Sequence, residues 1–392
     1  MQAILIRYGE IGTKKGTRHI FEAQLRRNIM KALHLPKDRV KLYRSQFVVT
    51  ANEEEIPEFL ENLKHVFGIA WYAPAKVCES KFDVICETAI EMGIDTIQAG
   101  DTFGVKAKRS HKLLPFSSLD LQQTIGEAIG KATKAPVNLS APDVQVAIAA
   151  SKEGTYIYTK RFQGAKGLPV GTSGKVLSLL SGGFDSIAAS YLLAKRGAEV
   201  DYLHFHIFMD KSNVLNTKIG DIVKGLDVAT QAKKLFVSSY GPFEMEVLNL
   251  DKLSQRYETV IFRRLMARVG EALALKFGYQ LLLFGDSLGQ VASQTMENMV
   301  AVDHAIQMPI FRPLVGYDKS EVVELVRYIG LFDAAVAEYK DCCSILSPDP
   351  IKKADLDTVQ QIEQEIGIDK IVEEMVNAVE DVDIRTLIDM SE

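Results

Sequence analysis

From residue 175 onward, short uninterrupted apolar runs alternate with helical segments, and this pattern restricts the fold more than any other feature of the chain. The pattern predicts helices at 186–196, 214–234 and 254–277 between strands at 175–180, 198–207, 235–239 and 280–284. Strands that are apolar throughout are buried on both faces, as in parallel sheets covered by helices. We therefore predict a doubly wound α/β domain whose ligand site lies beyond the carboxyl ends of its strands.

The first part of the chain has a different order of strands and helices, which predicts two smaller α/β units. Strands at 2–7, 40–43, 46–50 and 70–77, with helices at 16–33 and 53–66, have the order βαββαβ of a split ferredoxin-like domain. A second unit follows, with helices to residue 97 and at 117–133 and strands at 102–108, 143–150 and 155–162. Four glycines and a proline within 163–174 indicate a linker. The predicted boundaries are 1–77, 78–165, a linker at 166–174, and 175–392.

Charge is distributed unevenly between these parts. Residues 1–170 hold 24 basic and 18 acidic side chains, whereas the rest of the chain holds 22 basic and 33 acidic ones. A basic front half on a protein of net charge −5 favours a polyanion-binding part, although chance variation between domains is the alternative. The candidate contacts are Lys14, Lys15, Arg18, Arg26, Arg27, Lys106, Lys108, Arg109, His111, Lys112, Lys160, Arg161 and Lys166.

Several classes of protein are disfavoured by composition. No apolar run approaches the roughly 18 residues of a membrane helix, and the short apolar start reaches Arg7 at once, so we expect neither a membrane span nor a signal peptide. The four cysteines contain no CxxC pair. That usage fits a reducing, cytoplasmic compartment and argues against a structural zinc or iron–sulfur site, so we predict no metal ligands of that kind.

The hexapeptide SGGFDS, residues 181–186, lies where a predicted strand ends and a helix begins. Its two glycines allow close approach to an anion, and the N–H groups of the helix start point to the same place. A carboxylate at Asp185 would repel phosphate unless Mg²⁺ lies between them. An ordinary glycine-rich turn is the alternative, and a Walker A loop is excluded because no Gly-Lys-Ser/Thr follows.

The SGGFDS loop resembles the PP-loop of the ATP pyrophosphatase superfamily, which transfers AMP from ATP to a substrate oxygen. Further motifs narrow the resemblance: GDSLGQVASQT at 285–295, RPL at 312–314 before Asp318-Lys319, YGEI at 8–11 and DCCS at 341–344. Together they resemble the tRNA 4-thiouridine synthetase family over essentially the whole chain. The resemblance implies an N-terminal ferredoxin-like domain, a THUMP tRNA-binding domain and a C-terminal PP-loop domain.

The resemblance also implies a reaction and its partners. ATP, with Mg²⁺, would adenylate the C4 oxygen of uridine 8 in tRNA, and persulfide sulfur would then replace AMP. A cysteine desulfurase would supply the sulfur, and a homodimer is left open. The implied catalytic residues are Cys343, Cys342 and Asp185, with Cys343 as the better match to the persulfide carrier. The implied ATP contacts are Leu179, Leu180, Ser181, Gly182, Gly183, Asp185, Ser186, His204, Phe205, Arg263, Gly285 and Gln294.

Elementary chemistry supports some of these roles and leaves alternatives open for others. Phe205 could place adenine against an apolar surface, and the alternative is that Phe205 and His204 are core residues of a buried strand. A guanidinium in the middle of an apolar helix needs an anion, and for Arg263 and Arg264 phosphate is a natural one. A surface row of Arg264 and Arg268 is the alternative. The cysteine pair could be inert, whereas Cys78 and Cys86 are expected to be structural.

Three other functions compete with this prediction. A PP-loop enzyme that thiolates tRNA elsewhere and an amide-forming synthetase share the nucleotide chemistry, and a non-catalytic tRNA-binding protein would use nucleotide only as a ligand. The THUMP-like unit and cysteine pair disfavour the synthetase, and the intact SGGFDS loop disfavours the non-catalytic protein. Because the chain ends at Glu392, we expect no rhodanese-like domain. The resemblance ties a role in thiazole synthesis to that domain, so the sequence gives no support for this role.

Overall fold

The computed structural model describes residues 2–43, 45–110, 114–208, 212–342 and 349–389. The chain forms two compact units that divide between Pro169 and Val170. Among the described residues, no helix combines the length and the apolar composition that a membrane span requires.

The N-terminal unit contains one continuous sheet with helices packed against it. Its helices are α1 (Arg18–Ala32), α2 (Ile56–Leu63), α3 (Phe82–Thr96) and α4 (Ser118–Thr133). Its strands are β1 (Gln2–Tyr8), β2 (Val40–Tyr43), β3 (Gln46–Ala51), β4 (Ile69–Cys78), β5 (Phe103–Arg109), β6 (Val144–Ala150), β7 (Thr155–Tyr158) and β8 (Phe162–Gln163). The strand order is β2-β3-β1-β4-β7-β6-β5, and β8 pairs with β4.

The predicted ferredoxin-like arrangement is confirmed in the first four strands. β1 lies between β3 and β4 and is antiparallel to both, and α1 and α2 bury Leu25, Ile29 and Phe59 against this part of the sheet. The long strand β4 then continues past the first domain and pairs through Lys76–Cys78 with β7. The second domain therefore extends the sheet of the first one, and its helices α3 and α4 pack on β5 and β6.

The segment predicted as a linker begins within the N-terminal unit. The Lys166 amide donates to the Ile69 carbonyl at 2.8 Å, and the Gly68 amide donates to the Lys166 carbonyl at 2.8 Å. A Cβ atom on Gly164 would lie 2.3 Å from the Ile69 carbonyl oxygen. Glycine therefore allows close backbone packing at this position, a use that composition does not distinguish from a flexible linker.

The C-terminal unit alternates strands and helices. Its helices are α5 (Phe184–Ala194), α6 (Ser212–Leu215), α7 (Lys218–Thr230), α8 (Gly241–Val247), α9 (Glu258–Phe277), α10 (Met296–Asp303), α11 (Lys319–Ile329), α12 (Phe332–Val336), α13 (Leu356–Glu365), α14 (Ile368–Ala378) and α15 (Ile384–Asp389). Its strands are β9 (Lys175–Leu179), β10 (Glu199–His206), β11 (Lys234–Ser239), β12 (Leu281–Leu283), β13 (Ile310–Phe311) and β14 (Glu380–Asp383).

These strands form the predicted doubly wound sheet, in the order β13-β12-β9-β10-β11-β14. The strands from β13 to β11 are mutually parallel, so the carboxyl ends of β12, β9 and β10 meet at one edge. Three features differ from the prediction. The edge strands β13, parallel to β12, and β14, antiparallel to β11, were not predicted. Thr217 separates the helical stretch near 214–234 into α6 and α7 by accepting a hydrogen bond from the Ile219 amide.

Candidate functional site

A cavity of about 350 Å³ opens at the sheet edge where β9 and β12 end. Its lining combines apolar and polar side chains from both strand ends, the SGGFDS loop, α9 and the 291–294 turn. Seven of the predicted ATP contacts line it: Leu179, Ser181, Asp185, Ser186, Arg263, Gly285 and Gln294.

The SGGFDS loop is held in shape by its own residues. Gly182 has a φ of +78°, which only glycine adopts readily. The Ser181 hydroxyl accepts a hydrogen bond from the Gly183 amide at 3.3 Å, and the Ser186 hydroxyl donates to the Gly183 carbonyl at 3.1 Å. Gly183 is the N-cap residue of α5 and has no side chain that could accept hydrogen bonds from the first amides of this helix. These amides are therefore available to an approaching anion.

Gly285 determines how closely β12 approaches this loop. A Cβ atom on Gly285 would lie 2.7 Å from the Asp185 carbonyl carbon and 2.8 Å from the Ser186 amide nitrogen. Any larger residue would push the strand end away from the loop and widen the cavity. The glycine predicted as an ATP contact therefore acts by allowing this approach.

Asp185 is neutralised by a lysine from a different helix. Lys319 donates to both carboxylate oxygens of Asp185, at 2.9 and 3.0 Å, and the Gln290 amide donates to Oδ2 at 2.9 Å. Lys319 is placed by the start of α11, where Asp318 and Glu321 form a capping box. The sequence shows Lys319 within a family motif, but only the fold brings it to Asp185.

A second carboxylate, Asp286, lies between two arginines at the cavity wall. Arg263 Nη2 donates to Oδ1 at 2.6 Å and Arg312 Nε donates to Oδ2 at 2.9 Å. Burial raises the pKa of the Asp286 carboxyl, but the two positive charges outweigh burial, so its pKa lies below the ordinary value. Both guanidinium groups also lie near the Phe284 ring, 5.6 and 5.7 Å from its centroid. This cluster fixes Arg263 in one orientation toward the cavity.

Two polar atoms at the cavity lack a partner among the described residues. They are the side-chain oxygen of Gln294 and Nε of Arg263. Buried polar groups are normally hydrogen-bonded, so these atoms indicate a polar ligand. The apolar wall beside them comes from Phe262 and Phe284, neither of which sequence reasoning selected. A heterocycle with hydrogen-bonding edges fits this combination of flat apolar walls and an amide.

Five predicted ATP contacts do not line the cavity: Leu180, Gly182, Gly183, His204 and Phe205. Phe205 is 5% exposed and packs edge-to-face against Phe262 in the core, with ring centroids 5.9 Å apart. It therefore lies behind the wall that Phe262 presents to the cavity. Because both faces of β10 are buried, the sequence could not show which of its residues reach the cavity.

His204 connects the end of β9 to the segment that leads to the cysteine pair. Its Nδ1 donates to the Leu180 carbonyl at 2.7 Å, so its Nε2 accepts from the Tyr339 hydroxyl at 2.7 Å. Burial lowers the pKa of His204 to about 4, and the neutral ring is the form that this geometry requires. Through these two hydrogen bonds, His204 connects the end of β9, where the SGGFDS loop begins, to Tyr339, four positions before Cys343.

The depressed pKa of His204 predicts an acid-dependent loss of stability. The unfolded chain binds a proton near pH 6.5 and the folded chain near pH 4, so this contribution is complete above pH 6.5 and is lost as the pH falls through that window. We expect a wild-type loss of about 3 kcal/mol from this group between pH 7 and pH 4. Urea unfolding followed by circular dichroism should show a shallower pH dependence for His204→Gln. Parallel curves for the two proteins would contradict the assignment.

The other side of the cysteine segment is anchored by Asn298, which is fully buried. Its amide nitrogen donates to the carbonyls of Ala292 at 2.8 Å and Ile351 at 2.9 Å, and its oxygen accepts from the Ala354 amide at 2.9 Å. Asn298 therefore ties the cavity turn that carries Gln294 to the chain after residue 348. Sequence reasoning did not select it, because two of its three partners, Ile351 and Ala354, are distant in sequence.

Of the two predicted sulfur-carrying residues, Cys343 lies outside the described residues. Cys342 is 3% exposed and packs in the core of the C-terminal unit. Of the remaining cysteines, Cys86 is buried and Cys78 is half-buried, and burial raises the pKa of both thiols. The Cys78 and Cys86 thiols are therefore poorly ionised near neutral pH.

Arg264 does not bind an external anion, and it is not on the surface. It is 1% exposed, and its Nε and Nη2 donate to Glu363 at 2.7 and 2.8 Å, while Nη1 donates to the Ala301 carbonyl. Arg268 donates to the same carboxylate at 3.0 Å. Both alternatives drawn from sequence are therefore wrong for Arg264: its anion is a glutamate 99 positions away on α13.

The candidate polyanion contacts of the N-terminal unit are partly committed to the fold. Arg109 donates to the carbonyls of Leu114 and Phe116, and Arg161 lies 4.6 Å from the Trp71 ring centroid. His111 and Lys112 lie outside the described residues. Arg161 is nevertheless exposed, as are Lys15, Arg18, Arg27, Lys106, Lys108, Lys160 and Lys166.

The fold and site together define an α/β nucleotide-binding domain of the PP-loop class, joined to a ferredoxin-like and THUMP unit. Family comparison gives the same division: the ThiI ferredoxin-like domain matches residues 3–73, the THUMP domain 79–160, and the thiamine biosynthesis protein (ThiI) family 171–368. The chain belongs to the ThiI family.

Named relatives match along nearly the full length. A probable tRNA sulfurtransferase of Thermoanaerobacter pseudethanolicus is 36% identical over 95% of this chain and 97% of its own. One of Geobacillus kaustophilus is 36% identical over 96% of this chain and 94% of its own. Among solved structures, a 4-thiouridine synthetase in complex with RNA and ATP superposes with a TM-score of 0.87 at 28% identity, covering 98% of this chain and all of that one.

Proposed function

We propose that the chain is an ATP-dependent tRNA sulfurtransferase that converts uridine 8 to 4-thiouridine. The observation that carries the proposal is the cavity at the SGGFDS loop, with its unmatched polar atoms, in a chain similar to sulfurtransferases over its full length. A 4-thiouridine synthetase of the same fold holds both ATP and RNA, which supports both substrates.

Each part of the cavity has a distinct role in this reaction. The apolar walls and the Gln294 amide receive the adenine, and the SGGFDS loop with the α5 amides receives the phosphates. Arg263, held by Asp286, places a fixed positive charge where negative charge develops on the α-phosphate. The uridine oxygen attacks this phosphorus and pyrophosphate leaves, which turns O4 into a good leaving group.

The chain offers a limited site for Mg²⁺. Among the described residues no cluster of three or more His, Cys, Asp or Glu side chains could hold a metal ion. Asp185 is the cavity carboxylate that is not enclosed by two arginines, and Mg²⁺ commonly takes one carboxylate together with substrate phosphates. Asp185 would then exchange Lys319 for the ion, which would neutralise phosphate charge.

Sulfur transfer is assigned to Cys343. The terminal sulfur of a Cys343 persulfide, charged by a cysteine desulfurase, attacks C4 as the C4–O bond breaks and AMP leaves. A thiol then cleaves the remaining S–S bond, and an external reductant supplies the two electrons. A protein-bound persulfide places the nucleophile instead of relying on free sulfide.

We assign tRNA binding to the N-terminal unit. A THUMP match and a surplus of basic side chains in residues 1–170 support this assignment. Lysine and arginine contacts of this kind bind phosphates and position the RNA without reading its sequence.

The proposed reaction has a direct test. Purified chain, unmodified tRNA, ATP and a charged desulfurase should produce the near-ultraviolet absorbance of 4-thiouridine, with AMP and pyrophosphate formed in equal amounts. Digestion of the tRNA should place the thiolated base at position 8. Thiolation at another position would favour another PP-loop thiolase, and tRNA binding without ATP turnover would favour a non-catalytic protein.

Replacing Asp185 by asparagine should slow thiolation about a hundredfold. The SGGFDS loop loses its only charged side chain, and the contacts from Lys319 and Gln290 that hold the carboxylate in place are weakened. Affinity for tRNA should stay within about threefold, since this change lies in the acidic C-terminal unit. The exposed Asp333→Asn change, at the start of α12, is the matched control. Equal losses of tRNA affinity and activity would contradict this division of roles.

A further inference from the structure

Lys218 lies directly against the SGGFDS loop and does not line the cavity. Thr217 caps α7 and fixes the orientation of its first residues. A Cβ atom on Gly182 would lie 2.7 Å from Ile219 Cδ1 and 3.1 Å from Lys218 Cε. The lysine stem therefore packs on the loop glycine, and Gly182 itself does not line the adenine cavity.

The ammonium group of Lys218 differs from the other cations near the loop. Arg263 and Arg312 are paired with Asp286, and Lys319 is paired with Asp185. In the described part of the chain, Lys218 forms no such ion pair: its Nζ donates to the Ala335 carbonyl at 3.0 Å and lies 6.0 Å from the Tyr339 ring centroid. Burial lowers the pKa of Lys218 and outweighs the opposing attraction of the Asp341 carboxylate.

A half-buried cation without a close counter-ion is held at an energetic cost that an arriving anion would offset. The anion that the neighbouring loop is built to receive is phosphate. Ser181 and Asp185 line the cavity, and Lys218 packs against Gly182 between them in sequence. A phosphate chain that extends from the cavity across the loop glycines would therefore lead toward Lys218.

We propose that Lys218 binds the β and γ phosphates of ATP and holds pyrophosphate as it leaves. This inference rests on the proposed ATP site and adds a residue to it. A single charge-assisted contact of this kind changes affinity by about tenfold to a hundredfold. The effect should depend on phosphate number, because AMP lacks the two groups that Lys218 contacts.

Calorimetric titration of the full-length chain with ATP, AMP and pyrophosphate tests the proposal. Lys218→Met should weaken ATP and pyrophosphate binding by about tenfold to a hundredfold and leave AMP within about twofold. Lys218→Arg should keep most of the ATP affinity, since it keeps the charge. Lys224→Met, six residues further along α7, is the control and should bind all three ligands normally.

Two results would overturn the assignment. Equal weakening of ATP and AMP would mean that Lys218 only supports the loop, and unchanged ATP and pyrophosphate binding with impaired sulfur transfer would place its role at the cysteine segment. Failure of the wild-type chain to bind either nucleotide would instead remove the proposed function, and this inference with it.

Discussion

Replacing Cys343 by serine should abolish tRNA thiolation when a charged desulfurase supplies the sulfur, with a loss of at least about a thousandfold. Serine keeps the size of the side chain but cannot carry a persulfide. Formation of AMP-activated tRNA should persist, because the ATP cavity consists of other residues. Inorganic sulfide should restore part of the thiolation, since it can attack the activated uridine directly.

The neighbouring cysteine provides the sharper comparison. Cys342 is 3% exposed, so a protein donor cannot reach its thiol without opening the core. A disulfide between adjacent cysteines is strained and easily reduced, which suits a thiol that resolves the persulfide. We therefore expect Cys342→Ser to allow a single round of transfer and to slow turnover.

Cys78→Ser is the control for these variants, because Cys78 lies in β4 and its thiol is poorly ionised. It should thiolate tRNA at the wild-type rate. A fully active Cys343→Ser protein alongside an inactive Cys342→Ser protein would reverse the two roles. Full activity of both would remove the persulfide from this site.

The sequence was sufficient for the central strands of the parallel sheet because these strands are encoded locally. β9, β10 and β11 are short segments rich in apolar residues and bounded by turn residues, and this pattern predicts buried strands. β14 is different: its sequence EDVD contains a single apolar residue, and the strand forms by pairing with β11, where Lys234 meets Asp381. Its stability comes from a partner almost 150 positions away, which no local pattern reveals.

The site was predictable where motifs mark it and unpredictable where the fold assembles it. The SGGFDS loop follows β9 and Gly285 follows β12. Because these two strands are parallel neighbours, their carboxyl ends lie side by side, and the proximity of the loop to Gly285 follows from the topology. The orientation of side chains within β10 does not follow, because both of its faces are buried. Phe262 and Phe284 therefore form the cavity wall that sequence reasoning assigned to Phe205.

Replacing Glu363 by glutamine should destabilise the C-terminal unit by about 4 kcal/mol. Glu363 is 3% exposed and accepts hydrogen bonds from both Arg264 and Arg268. Its loss leaves the Arg264 guanidinium buried without a counter-ion, whereas Arg268 is partly exposed and can turn to solvent. Urea unfolding followed by circular dichroism measures the change, with Glu365→Gln on the exposed side of α13 as the control.

A double variant separates the lost charge from a general packing defect. Arg264→Met with Glu363→Met removes both charges at once, and buried ion pairs replaced in this way are often nearly neutral in stability. Recovery of most of the lost stability is the expected result, and a double variant as unstable as Glu363→Gln would contradict it. Arg263, the next residue on α9, faces the cavity and holds Asp286. Since α9 is anchored to α13 through Arg264, Glu363→Gln should also weaken ATP binding, and the double variant should restore it.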